Sequence, residues 1–289
     1  MQPVSASASP HLSLAITAFN EAERLPPNLA HALTFLHAQG YSFEVVINDD
    51  GSSDDTAAVA ERIGADWPGV VRVLKAPRNE GKGAGLRRAI LATRGERVLF
   101  SDADFSTPIE ELPRLMRAID AGAHVVIGSR VQPDGSDMRR SQPLYRRLFG
   151  KVYRILRDAT TVRGIIDTQS GFKLFVGDVS RELFADSVVR SIVFDVEVLY
   201  LAQRRGYHVA EVPVQWTNAG GARMRVTLGH AVRVFWDTVR VPLIHRHETP
   251  RVIATARPAA PLLSSAKPTA RPMAGNQCHC RLCMAHQTM

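Results

Sequence analysis

The sequence predicts an α/β protein built on a mostly parallel β-sheet with helices on both faces. Three observations predict it. Between residues 12 and 127, short apolar runs alternate with longer stretches whose apolar residues recur every three or four positions. Acidic clusters follow the first, second and fourth of the short runs, and on such sheets ligands bind outside the carboxyl ends of the strands. The body of the chain has no cysteine: Cys278, Cys280 and Cys283 all lie in the C-terminal tail, so no disulfide holds the fold and a reducing compartment is expected.

The elements follow in order. Residues 1–10 are rich in Ser, Ala and Pro and are expected to be disordered. Leu12 to Ile16 reads as a strand. Leu25, Leu29, Leu33 and Leu36 fall at helical spacing, with Asn20 and two prolines near the start. Phe43 to Ile47 is a second strand, ending in Asn48-Asp49-Asp50-Gly51-Ser52, and Asp54 or Asp55 caps a helix through Ile63. Val70 to Leu74 is a strand, Lys82 to Thr93 a helix, Arg97 to Ser101 a strand, Ile109 to Ala121 a helix and His124 to Ile127 a strand. Residues 130–163 turn basic, with helical spacing in the second half. Phe172 to Phe175, Phe194 to Ala202 and Val209 to Trp216 resume strand, helix and strand. Residues 228–244 form an amphipathic helix disturbed near its end by Pro242. Leu228, Val232, Phe235 or Trp236, Val239 and Leu243 make one face of it, and Arg233, Asp237 and Arg240 another. The apolar face either packs on the sheet or docks at a bilayer. Residues 248–289 are rich in Pro, Ala and Ser without a period and are expected to be disordered.

Composition narrows the function. The chain has 289 residues, 45% hydrophobic and 22% charged, which excludes collagen, a coiled coil and wholesale disorder. Its formal charge of +8 suits an anionic partner: nucleic acid, phosphorylated substrate or acidic membrane. Aromatics are only 7% and do not interleave with the basic residues, which argues against nucleic acid. No signal peptide is visible, and nowhere do 18 uncharged apolar residues run together. Membrane contact is therefore expected to be peripheral and the compartment cytoplasmic.

Several constellations carry chemistry. Asp102-Ala103-Asp104 sets two carboxylates at a strand end, either to hold one hard divalent ion or as a solvated acidic turn whose Asp104 or Ser106 caps the next helix. Asp49 and Asp50 either accept hydrogen bonds from a base or ribose or make a turn leading into the next helix. Asn79-Glu80-Gly81-Lys82-Gly83 enters a helix with a lysine, suiting a diphosphate or serving as a basic cap. Arg130 directly follows a strand and offers a fork of donors to phosphate. Asp195 and Glu197 read as the start of a helix. The tail cysteines, with His279 and His286, either bind zinc or are exposed thiols.

Taken in order, the segments AFNEAERL, NDDGSSDDT, NEGKGAGLRRAI, LFSDADFSTPIEEL, IGSR, RGIIDTQSGFKLF, FDVEVLYLAQRRGY and EVPVQW resemble the inverting nucleotide-sugar glycosyltransferases of family 2. The likeness spans residues 12–245 and is greatest to dolichyl-phosphate β-glucosyltransferases and bacterial polyprenyl-phosphate glycosyltransferases. It implies a GT-A fold with a Rossmann-like sheet: a transferase domain at 11–247, its nucleotide part at 11–130 and its acceptor part at 131–247. It implies nucleotide binding at Phe19, Glu21, Asp49, Asp50, Lys82 and Asp102, and Mg²⁺ or Mn²⁺ on Asp102 and Asp104. Catalytic work would fall to Asp104, Arg130 and Asp167, and acceptor or phosphate binding to Arg146, Gln169, Lys173 and Arg223. Mannosyl relatives often carry a metal-binding Gln where this chain has Ser106, so water or substrate is expected to complete the metal shell. The implied reaction moves glucose from UDP-glucose to a polyprenyl phosphate with inversion. The alternatives are another nucleotide sugar (GDP-mannose, UDP-GlcNAc), a soluble acceptor, or a non-enzymatic anion binder. Oligomeric state is not indicated.

Overall fold

The computed structural model describes residues 9–138, 144–217 and 228–248. The chain divides into Met1–Ala259 and Ala260–Met289, and every described residue belongs to the first unit. The N-terminal eight residues and the cysteine-bearing tail, for which disorder was the expectation, lie outside the described residues.

The first half alternates as the periodicity requires: β1 (Leu12–Ala18), α1 (Leu25–Ala38), β2 (Phe43–Asp49), α2 (Thr56–Ala65), β3 (Val71–Lys75), α3 (Lys82–Leu91), β4 (Arg97–Asp102), α4 (Leu112–Asp120, after a short 3₁₀ turn at Ile109–Glu111) and β5 (Val125–Ser129). The second half adds α5 (Leu144–Thr160), β6 (Phe172–Val176), α6 (Gly177–Asp186), α7 (Phe194–Arg204), β7 (Val209–Pro213) and α8 (Leu228–Ile244).

The strands form one seven-stranded sheet in the order β3-β2-β1-β4-β6-β5-β7. All pairings are parallel except those of β6, which runs antiparallel between β4 and β5. Both faces are covered. Leu14, Ile16, Val45, Ile47 and Leu99 pack under α1 and α4, while Ala15, Val46, Val98 and Phe100 pack under α3, α6 and α7. Side chains alternate across a strand, so burial on both faces turns what would be an alternating pattern into a continuous apolar run.

The elements depart from the sequence reading in several places. α6 falls where sequence assigns nothing. It is ten residues long, starts at a glycine and has no side-chain cap; its buried Val179, Leu183 and Phe184 and the ion pairs of Arg205 with Glu182 and Asp186 hold it. β7 stops at Pro213, which has no amide to donate, rather than running to Trp216. Neither Asp54 nor Asp55 gives α2 its expected cap; Asp54 instead accepts the Thr56 amide at 3.0 Å. Neither Asp104 nor Ser106 caps the helix after β4; Asp104 accepts the Ser106 amide at 3.0 Å within its own turn.

Candidate active site

Parallel register brings three turns to one edge. Ala18 pairs with Asp49 and Thr17 with Asp102, so β1, β2 and β4 end side by side. Phe19, 43% exposed, leads the first turn. Asn20 sits at φ 56°, a left-handed conformation that Asn tolerates. Its side-chain oxygen accepts the Ser53 amide at 2.8 Å, and its own amide donates to Ser52 Oγ at 2.9 Å, lacing the first turn to the second. The Glu21 carboxylate is held by Arg24, with Nε to Oε2 at 2.7 Å.

Two of the expected nucleotide carboxylates are engaged inside the protein. Asp49 is 5% exposed and binds the Ser52 hydroxyl. Asp50 is 2% exposed and accepts the amides of Glu80 and Gly81, the latter at 2.9 Å. Burial pushes the Asp50 carboxyl up, against those amides. Asp50 thus pins the loop that delivers Lys82 to the site.

Lys82 opens α3. Its ammonium lies 2.7 Å from Asp102 Oδ1 and 5.4 Å above the Phe100 ring. Burial alone would lower its pKa, but Asp102 first, then Asp195 and Asp104, outweigh that and hold it above the ordinary lysine value. Asp102 and Asp104 are both half-buried at the sheet edge.

The carboxylates fit a divalent cation on two observations. Asp102 Oδ1 is turned inward at the sheet edge and already draws a cation, the Lys82 ammonium at 2.7 Å. Beside it, Gly171 leaves space that any Cβ would take from the Asp102 carboxylate. Among the described residues no group of three His, Cys, Asp or Glu gathers. A hard ion held by Asp102 and Asp104 would therefore complete its shell with water and substrate oxygens, as Mg²⁺ commonly does.

Arg130, just beyond β5, is locked. Its Nε and Nη2 donate to the two oxygens of Asp167 at 2.8 and 2.6 Å, and its guanidinium stacks over Trp216 at 5.8 Å. Asp167 is 1% exposed, so it presents Arg130 rather than meeting an acceptor itself. Glu211 of β7 in turn accepts the amides of Ile166 and Asp167, both at 2.9 Å. Arg157, in the basic stretch of α5, is 3% exposed and binds Thr168 Oγ1 and the Ile165 carbonyl. Trp216, Glu211 and Arg157 were missed as site residues. Only the Trp of EVPVQW stood out in sequence, because the other two act through contacts 45 and 11 residues away.

The expected acceptor residues separate. Lys173, on β6, is 2% exposed and holds Asp195 of α7 at 2.5 Å, beneath the Phe100 ring. Burial lowers the lysine and raises the aspartate, each opposed by its partner. This pair is internal, which corrects the acceptor role expected of Lys173; Asp195 lies in the first turn of α7, as its reading as a helix start expects, and also carries this ion pair. Glu197, likewise fully buried, accepts the Val188 and Val189 amides and binds His245 at 2.8 Å. Gln169 is half-buried, and its side chain makes no hydrogen bond to another described residue. Arg146 lies on α5, but its side chain is outside the described residues, as is the whole of Arg223.

A mostly parallel sheet with one reversed strand, two carboxylates in a D-x-D turn and a lysine and arginine facing the same edge defines a nucleotide-sugar glycosyltransferase of the GT-A fold. The sequence model of glycosyl transferase family 2 matches residues 13–184. The chain belongs to glycosyl transferase family 2. It is 34% identical over 241 residues to a dolichyl-phosphate beta-glucosyltransferase of Dictyostelium discoideum, covering 80% of this chain and 73% of that one. The enzyme of the same name from Homo sapiens is 32% identical over 233 residues, covering 75% and 71%. Among solved structures, the glucosyl-3-phosphoglycerate synthase of Mycobacterium tuberculosis, in complex with Mn²⁺, UDP-glucose and phosphoglyceric acid, shares the fold. Its TM-score is 0.59 at 19% identity, covering 84% of this chain and 81% of that one.

Proposed function

We propose that the chain transfers glucose from UDP-glucose to a dolichyl-type polyprenyl phosphate, giving a β-linked lipid-phosphate sugar. The likeness to dolichyl-phosphate β-glucosyltransferases supports the acceptor and the sugar. The observation that carries the chemistry is the Asp102 carboxylate at the end of β4, with the Lys82 ammonium 2.7 Å from its Oδ1.

The residues divide the work. Phe19 and the laced turns at 19–21 and 49–53 receive the nucleoside. Lys82 and Arg130 bring two fixed positive charges toward the leaving diphosphate, and fixed charge in a partly dry site stabilises developing negative charge without reorganisation. A divalent cation bound at Asp102 and Asp104 would supply further charge neutralisation of that diphosphate. The acceptor phosphate attacks the anomeric carbon from the face opposite the leaving group. Its second pKa is about 6, so it is ionised at neutral pH and needs no strong base. This suits a site where Asp167 is committed to Arg130. Catalysis then rests on position and charge.

The test is incubation with UDP-glucose and dolichyl phosphate, with mass spectrometry of the organic phase. A hexosyl phospholipid is expected. Glucose transferred only to water-soluble acceptors, or a lipid product formed from GDP-mannose and not from UDP-glucose, would overturn the assignment.

A further inference from the structure

Helix α8 carries its apolar stripe outward. Its inner face is Val234, Thr238, Val241 and His245, all buried. Thr238 Oγ1 lies 3.1 Å from the Tyr153 hydroxyl, and His245 is bound to Glu197. Asp237, grouped by sequence with Arg233 and Arg240 on one face, is 8% exposed and accepts the Ser191 hydroxyl at 2.7 Å. The outer face is Val232, Trp236 and Leu243, exposed by 60%, 64% and 67%. Three large apolar side chains on one solvent-facing stripe mark a contact surface rather than a core.

Beside the stripe is a cavity of about 800 Å³ between α8, the loop at 78–81 and residues 188–191. Arg78, Arg190, Arg233 and Arg240 line it, with Trp236 at its wall. Arg240 is 3.5 Å from Asp237, and the other acid in the wall, Glu80, is taken by Arg88. Arg78, Arg190 and Arg233 have no carboxylate within ion-pair distance among the described residues. The wall therefore holds unneutralised positive charge directly beside exposed apolar surface.

We propose that this cavity and stripe form a docking site for anionic phospholipid headgroups at a bilayer surface. The headgroup phosphate sits among Arg78, Arg190 and Arg233, and Trp236 lies at the boundary between headgroups and acyl chains, flanked by Val232 and Leu243. Charge complementarity selects this occupant. A second copy of the chain would set arginines against arginines across a two-fold axis, and a free phosphate would leave the apolar stripe wet. Gly81, in the cavity wall, directly precedes Lys82, so docking here holds the transfer site next to the membrane. The inference rests on the lipid-acceptor reading only in its choice of a bilayer.

The full chain is mixed with vesicles of phosphatidylcholine alone or with added phosphatidylglycerol, and read by co-sedimentation and tryptophan emission. Wild type is expected to partition onto the anionic vesicles with a blue shift. Arg190→Gln with Arg233→Gln weakens partition by roughly fivefold per arginine, and Trp236→Phe removes the blue shift. Arg62→Gln with Arg117→Gln, exposed arginines elsewhere, leaves binding unchanged. Four results would each overturn the proposal: equal binding to neutral vesicles, a control pair as damaging as the cavity pair, full displacement by millimolar inorganic phosphate, or a dimer without vesicles that Trp236→Ser dissolves. Transfer to a short, water-soluble polyprenyl phosphate is assayed alongside. Its absence from wild type, with vesicle binding as expected, would remove the transferase reading and leave the docking site standing.

Discussion

The side chain of Arg130 and the carboxylate of Asp167 meet through two parallel hydrogen bonds, and the Arg130 backbone amide donates to the same carboxylate at 2.9 Å. The partners are unequally buried: the Asp167 side chain is 1% exposed and that of Arg130 14%. Removing one is therefore unlike removing the other. Arg130→Met strands a buried carboxylate and is expected to cost about 3–5 kcal/mol. Asp167→Asn keeps the shape, lets the guanidinium turn to water and costs about 1–3 kcal/mol. Urea unfolding of the two variants measures the difference, and equal losses would contradict it.

Gly171 is expected to be required for activity more than for stability. A Cβ there collides with the Asp102 carboxylate, a side chain with room to shift because it is 34% exposed. Gly171→Ala should lower transfer roughly 100-fold through displacement of Asp102, at a stability cost of about 1–3 kcal/mol. Gly150→Ala, where nothing lies within 4 Å, serves as the reference and should leave transfer unchanged.

Lys82→Met removes the ammonium that lies 2.7 Å from Asp102 Oδ1. The loss expected in kcat/KM for UDP-glucose is about 100- to 1000-fold. Asp104→Ala should lower kcat/KM comparably. Steady-state kinetics over a range of Mn²⁺ concentrations reads both, and a variant with wild-type kinetics would remove its residue from the reaction.

Glu44 gives a pH signature away from the site. Burial opposes its ionisation, but the Ser13 hydroxyl at 2.7 Å, the Arg94 amide at 2.6 Å and the charges of Arg72 and Arg94 outweigh it. Its carboxyl is held below the ordinary value of 4.5. A folded pKa below the unfolded one gives stability that is present above pH 4.5 and lost as pH falls through the folded value. The gap in Tm between wild type and Glu44→Gln should therefore be full at pH 7 and shrink below pH 4.5. A gap constant down to pH 3 would refute the sign.

Much of the frame was legible because it is local. The leucines at 25, 29, 33 and 36 announce α1 by their spacing, and all four are fully buried. The turns at Phe19, Asp49 and Asp102 had to meet once the strands were parallel, because parallel strands end on the same edge. The D-x-D pair and Lys82 were found for that reason. α6 was not, since it begins at Gly177 directly after β6, with no intervening turn to mark its start. The reversal of β6 was equally invisible, because an apolar run such as Phe172–Val176 reads the same in either direction.

The sequence by itself determined the order of elements, the sheet edge that carries the site and the residue types gathered there, since periodicity and strand direction follow from neighbours along the chain. Only the tertiary structure decided which of those residues are spent inward. Asp167 closes on Arg130 across 37 positions and Lys173 on Asp195 across 22. It also decided that α8 buries Asp237 and exposes Trp236. A side chain's charge is written in the chain, but its burial and its partner depend on what folds over it, and those contacts come from distant segments whose packing no local pattern records.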